Sequence, residues 1–163
     1  MPVLITNNHV LNDNDIENDK IIKLIINNGV KKIKIDNSRK KFTNPDKNID
    51  ITIIEIKPEK DEINDYLEID ENDIYQNKEN IELEYINKSI NLLHYPKEKL
   101  NVSFGIINNI IDNKKINYKC TTEDGSSGCP ILSLETFKII GIHNDISKNN
   151  NMNYIYIFKK FNR

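Results

Sequence analysis

The run Gly125-Ser126-Ser127-Gly128-Cys129-Pro130 sets a serine between glycines, the residues that let a chain turn tightly enough to aim successive backbone N–H groups at one point. A hydroxyl beside such converging donors suits acyl transfer, since the oxygen can attack a carbonyl while the N–H groups stabilise the oxyanion that forms. A serine hydroxyl is too weakly acidic to attack unaided, so an adjacent base is required. His9 closes Leu4-Ile5-Thr6-Asn7-Asn8-His9 after an apolar run, and an imidazole titrating near neutrality can take the proton and return it. Asp50 heads the β-branched run Ile51-Thr52-Ile53-Ile54-Glu55-Ile56, from which a carboxylate could fix the imidazole's other nitrogen. Ile139-Ile140-Gly141-Ile142-His143 follows the serine loop. Taken singly, each is weak: Gly-Ser-Ser-Gly fills ordinary turns, a histidine at a strand end is usually structural, and an aspartate before a strand is usually a cap. Asp13, Asp15, Asp36 and Asp46 are the other acids that could serve, but only Asp50 precedes an Ile-rich strand.

In this order the four segments resemble the chymotrypsin-fold (trypsin-like) serine peptidases, whose triad runs His, Asp, Ser along the chain. The closest likeness is to the compact microbial branch that includes the glutamyl endopeptidases. It covers nearly the whole chain and is strongest around His9, Asp50 and residues 119–143. The resemblance implies His9, Asp50 and Ser127 as the catalytic triad, with the Gly125 and Ser127 N–H groups as the oxyanion hole. It implies Thr121 and Thr122 lining the primary substrate pocket, His143 on its far wall, and Asn144 near the edge that pairs with an extended substrate. Glutamyl endopeptidases hold an acidic side chain with a threonine or serine and a histidine at the matching places, so an acidic residue before the scissile bond is expected. A core histidine satisfied by a backbone carbonyl is the equal alternative for His143. Ser126 stands where digestive enzymes carry an aspartate that pairs with the new N-terminus after zymogen cleavage, so that ion pair is not available here. His94 reads as structural, and Cys129 as a packed thiol.

Composition limits the alternatives. The 163 residues allow one compact core or two small packed halves. A formal net charge of -2 with scattered charges offers no basic face for nucleic acid. No apolar run reaches membrane-spanning length, and the first residues lack a signal peptide's pattern, which points to the cytoplasm if the N-terminus is genuine. Asn, Ile and Lys are abundant and Ala is absent, a skew that reports base composition rather than function. Cys120 and Cys129 form no disulfide framework, and neither makes a recognisable zinc spacing with His94 or His143. The implied chemistry needs no metal or organic cofactor, and its partner is a polypeptide substrate.

To position these groups the chain must be all-β. Short Ile-rich runs bounded by Asn, Asp, Gly or Pro predict strands at 21–26, 30–35, 49–56, 90–95, 102–111, 131–134, 137–142 and 153–158. With the resemblance, these build two antiparallel β-barrels: an N-terminal barrel over residues 1–57, a polar connector over 58–88 that Tyr66, Leu67 and Ile69 could tack down, and a C-terminal barrel over 89–163. Met1 stands eight positions before His9, where the family usually has about two further strands. The first barrel is therefore expected to be incomplete, its edges needing cover from missing N-terminal strands or a partner chain. The leading function is a serine endopeptidase. A catalytically silent fold or fragment acting as a binding module is the main alternative, and an unrelated all-β binding protein the third.

Overall fold

A computed structural model describes residues 1–27, 29–44, 49–70, 85–111, 115–146 and 153–157. The chain forms two compact units, Met1–Tyr66 and Leu67–Arg163. As expected, the architecture is nearly all-β, with one closed barrel, further antiparallel sheets and little helix. No described helix is long and apolar enough to cross a membrane.

In the first unit, β1 (Val3–Thr6) and β4 (Lys41–Thr43) flank β5 (Thr52–Glu55) as a three-stranded antiparallel sheet. β2 (Ile21–Ile26) and β3 (Gly29–Lys34) form a separate hairpin. Its turn includes Asn27 at φ 51°, a left-handed conformation that asparagine tolerates better than most residues. Alternation drives the packing: Ile22, Ile33 and Ile54 face inward and join Ile16, Ile35, Ile56 and Ile63 in one core. A fully buried side chain of this size contributes about 2–3 kcal/mol. The described strands of this unit close no barrel.

A buried ion pair braces the unit. Arg39 donates from Nη1 and Nη2 to the two carboxylate oxygens of Asp61 at 2.7 and 2.8 Å, both side chains being almost wholly excluded from solvent. Arg39 also reaches the Glu55 and Lys34 carbonyls, and the Lys57 N–H donates to Asp61. Asp61 ends a four-residue helix, α1 (Pro58–Asp61), that the polar sequence there did not predict.

In the second unit β6 (Ser89–His94), β7 (Asn101–Ile110), β8 (Lys115–Lys119), β9 (Pro130–Ser133), β10 (Ile139–Ile146) and β11 (Asn153–Ile157) close a barrel in the order β10-β11-β8-β7-β6-β9. Ile90, Leu92, Ile107, Ile116, Tyr118, Ile131, Ile140 and Ile155 fill it. Gly105 permits the close crossing of β7 and β8, since a Cβ there would lie 2.4 Å from the Lys119 carbonyl oxygen. Ile69 does tack its segment down: it bridges to Ile139, with the Ile139 N–H donating to Glu68 O and the Asp70 N–H to Ile139 O. Tyr66 and Leu67 are exposed instead. Residues 71–84 of the expected connector, Asp46, and Phe158 at the end of the last expected strand lie outside the described residues.

Removing one partner of a buried, fully hydrogen-bonded pair strands the other, so Arg39→Ala is expected to destabilise the protein by about 3–5 kcal/mol in urea unfolding followed by circular dichroism. Burial pushes the Asp61 carboxyl up, but the Arg39 hydrogen bonds, the Lys57 N–H and the nearby cations outweigh it and hold Asp61 below its ordinary range. Its contribution is therefore complete above the unfolded value of about 4 and is lost as pH falls through the lower folded value. Asp61→Asn should flatten that acid limb of the stability curve, and an unchanged limb would rule out this source.

Candidate active site

The β1–β5 pairing sets His9 beside Asp50. Register places Thr6 opposite Thr52, so the residues just after β1 and just before β5 emerge at the same end of the sheet. The chain turns at once after β1, with the Val10 and Leu11 N–H groups both donating to Asn7 O. Thr52 Oγ1 donates to Leu11 O at 2.7 Å, holding the turn against β5. The His9 backbone N–H donates to Asp50 Oδ1 at 2.9 Å, and His9 Nδ1 is hydrogen-bonded to Asp50 Oδ2. Asn7, fully buried, donates from Nδ2 to Asp50 O at 3.0 Å. Two-point contact with one carboxylate fixes the ring and its tautomer: with Nδ1–H given to Asp50, the lone pair sits on Nε2. The His9 side chain remains 51% exposed, open to a reactant. Of the competing acids, Asp13 is bonded to Thr43, Asp15 caps the Asn12 N–H, and Asp36 is paired with Lys60.

The serine loop belongs to the second unit. Gly125 (φ 93°) and Gly128 (φ 76°) take left-handed conformations on either side of Ser126-Ser127. The Ser126 N–H donates to Glu123 O, the Cys129 N–H to Ser126 O, and the Gly128 N–H to His143 O. Among the described residues, neither the Gly125 nor the Ser127 N–H is donated within the fold. These are the two donors expected to form the oxyanion hole. Ser127 is half-buried, whereas Ser126 is 1% exposed and turned into the barrel.

The residues expected to line the pocket lie in the same unit as this loop. His143, on β10, is buried, and its backbone N–H donates to Cys129 O at 2.9 Å. The Tyr118 hydroxyl lies 2.8 Å from His143 Nδ1, the two rings meeting edge to face. Burial holds the Tyr118 phenol far above its usual value, so it keeps a proton to donate. Were the phenol the donor, the ring proton of His143 would sit on Nε2. The Tyr118 phenol is thus one side-chain partner of His143. Thr122 is half-buried and donates from Oγ1 to Asn153 Oδ1 at 2.7 Å, while Asn153 Nδ2 donates to Cys120 O at 2.7 Å. Thr121 is exposed. Asn144 is buried on β10 beyond the last β9 pairing at Ile142.

Tyr118, Asn153 and His94 are the participants that sequence reasoning missed as site residues. His94 and Tyr118 sit on strands where inward positions alternate, but only the closed barrel reveals which distant side chain each one meets.

Both cysteines are free. Cys129 packs in the barrel core, and burial pushes its thiol up to about 12. Burial also raises Cys120, against hydrogen bonds from Ser103 and Thr121. Since the thiolate is the nucleophilic form, neither is prepared for attack. Among the described residues, no group of three His, Cys, Asp or Glu side chains could hold a metal ion.

A closed antiparallel barrel bearing a Gly-x-Ser-Gly loop, and a sheet presenting a His–Asp pair, define the chymotrypsin-like protease fold. The chain belongs to the 3C cysteine protease (picornain 3C) family, whose model matches residues 7–145. Tobacco etch virus protease, solved as a catalytically active enzyme complexed with product, is similar in structure. It has 22% identity and a TM-score of 0.65, with 98% of this chain covering 64% of that one. A serine endoprotease from Yersinia pestis is similar at 16% identity and a TM-score of 0.66, with 95% of this chain covering 49% of that one. A Glu endopeptidase complexed with MPD is similar at 16% identity and a TM-score of 0.64, over 95% of this chain and 74% of its own. The chain thus spans less than two thirds of the tobacco etch virus protease it resembles. No curated protein matches the sequence.

At pH 8 a thiol with a pKa of about 12 is about 10⁻⁴ ionised, so Cys129 should alkylate with iodoacetamide about 10³-fold more slowly than an ordinary thiol, until urea exposes it. Peptide mass mapping reads this directly. Rapid modification in the folded protein would reopen Cys129 as a nucleophile.

Proposed function

We propose that this chain is a serine-type endopeptidase within a family named for its cysteine enzymes, with Ser127 as nucleophile, His9 as general base and Asp50 orienting His9. The observation that carries this is the loop at Ser127: a half-buried serine flanked by N–H groups of Gly125 and Ser127 that are undonated among the described residues, while both thiols are raised by burial. His9 Nε2 takes the Ser127 proton as Oγ bonds to the scissile carbonyl carbon, and the oxyanion is held by the two N–H groups. Protonated His9 then gives its proton to the leaving amine, and water repeats the sequence to release the acyl group. A hydroxyl depends on its base more than a thiol does, which suits the two-point grip of Asp50 on His9.

We infer the substrate preference from hydrogen-bond directions at the residues expected to line the pocket. Thr122 gives its proton to Asn153, so toward a ligand its oxygen accepts; with the Tyr118 phenol donating to Nδ1, His143 would carry its proton on Nε2 as the donor. One donor and one acceptor match a primary amide, so glutamine before the scissile bond is favoured. The acidic residue expected from sequence is the second reading. It would require Thr122 to release Asn153, or His143 to gain a second proton.

A fluorophosphonate probe should label Ser127, with labelling lost in Ser127→Ala and reduced at least about 10³-fold in His9→Ala. Asp50→Asn should lower kcat by about 10⁴-fold, the cost of the same change in a well-studied Ser-His-Asp triad. No labelling of the native chain would leave the binding-module reading in its place. Paired peptides differing only in Gln or Glu should be cleaved with higher kcat/KM for Gln, and Thr122→Val should narrow that gap. A Glu preference would restore the acidic reading.

A further inference from the structure

We propose that His94 is a positioning residue for the oxyanion hole, holding it through Ser126; this rests on the serine-peptidase reading and adds a part that reading does not contain. His94, on β6, is 3% exposed. Its Nδ1 lies 2.7 Å from Ser126 Oγ and its Nε2 lies 3.0 Å from Ser103 Oγ on β7. Ser103 in turn meets the Cys120 thiol. Ser126 Oγ also accepts the Glu123 N–H at 3.3 Å. The residue between the two proposed oxyanion donors is thus pinned from inside the barrel by a buried chain, Ser126–His94–Ser103.

Ser126 is the pivot of the loop. On its C-terminal side, one peptide plane carries the Ser126 carbonyl, which accepts the Cys129 N–H at 3.1 Å, and the Ser127 N–H that would face the oxyanion. On its N-terminal side the Ser126 N–H donates to Glu123 O, which fixes the plane that follows Gly125. Turning either plane rotates φ or ψ of Ser126. Gly125, at φ 93°, offers no resistance of its own to such rotation because glycine moves readily through that region. The restraint comes from the Ser126 side chain, whose buried hydroxyl must keep its partner. The two serines offer a donor and an acceptor to either tautomer of His94, so the chain closes without a net charge. A neutral hydrogen bond from a strand already in the barrel does here what a carboxylate and a cleaved N-terminus do in digestive enzymes.

The test combines two readouts on the full chain: the rate of Ser127 labelling by a fluorophosphonate together with kcat and KM on a peptide, and the amide NMR signals of Gly125, Ser126 and Ser127. His94→Phe removes both ring nitrogens at similar shape, Ser126→Ala removes the hydroxyl, and His94→Asn keeps a polar atom near the position of Nδ1. Removing an oxyanion donor outright costs about 10²–10³ in rate, so a misaligned loop should cost about 10- to 100-fold in kcat and labelling, with KM within about twofold. Acting through one another, His94→Phe and Ser126→Ala together should cost no more than the worse single change, and His94→Asn should recover part of the loss. The Gly125 and Ser127 amide signals should shift in both single variants. A His94→Phe protein with native rates, or losses that multiply in the double variant, would overturn the proposal. If His94→Phe does not fold, Ser126→Ala decides by the same measures. If the native chain neither labels nor cleaves, the peptidase reading fails by itself. The spectra then judge the positioning role, and unchanged loop amides in Ser126→Ala sink it.

Discussion

The second unit depends on how the barrel closes between β9 and β10. Two reciprocal backbone bonds, Gly128 N–H to His143 O and His143 N–H to Cys129 O, join the serine loop to β10 just beyond the strand pairing. They place the proposed nucleophile and the proposed specificity histidine in one rigid frame, so chemistry and recognition are set by the same ladder. A backbone hydrogen bond formed in the barrel wall contributes only about 1 kcal/mol, but here its value lies in geometry. Displacing either strand would move the serine and the pocket together. That is why the core beneath, with Cys129, Ile131 and Tyr118 packed in one cluster, matters to function as well as to stability.

The first unit solves a different problem with fewer strands. His9 and Asp50 lie on segments flanking a single antiparallel pairing, and their mutual contact is local to one end of it. What must be rigid is therefore β5, and β5 is secured at both ends. Thr52 reaches the Leu11 carbonyl near the site, and Arg39 holds the Glu55 carbonyl at the far end while engaging Asp61. A buried ion pair is seldom better for stability than apolar residues of the same volume. Its strength here is direction: the planar guanidinium joins β3, β5 and α1 at fixed angles, which a leucine could not do.

Much of this was legible in the sequence, for physical reasons that differ from element to element. The strand at 21–26 was visible because Ile dominates it and it ends at turn residues. β8 was not, since Lys115, Asn117 and Lys119 hide the two inward residues Ile116 and Tyr118. β4 is too short for alternation to register. The His9–Asp50 pair was suggested by the family resemblance in the order of the motifs, and the structure realises it by pairing β1 with β5 in register. Side-chain partners across the barrel left no such trace. Nothing in Leu92-Leu93-His94-Tyr95-Pro96 says that its histidine meets Ser126, and reading His94 as merely structural overlooked which structure it supports.

The tension between a family named for cysteine chemistry and a serine as the proposed nucleophile has a physical resolution within this chain. Thiolate formation needs solvent or a nearby positive charge, and the barrel gives its two thiols burial instead. Cys129 follows Gly128 directly but points into the core with Ile131 and Tyr118, where its raised thiol serves as a small apolar filler. Ser127 stands outside that core. A hydroxyl loses little by lacking a stabilised anion, because it is deprotonated only as it attacks, by a base held in the right tautomer. The features that would make a poor thiol enzyme of this chain are compatible with a serine one. In that chemistry the demand shifts from the nucleophile's own acidity to the alignment of His9 with its aspartate and of the loop amides with the oxyanion.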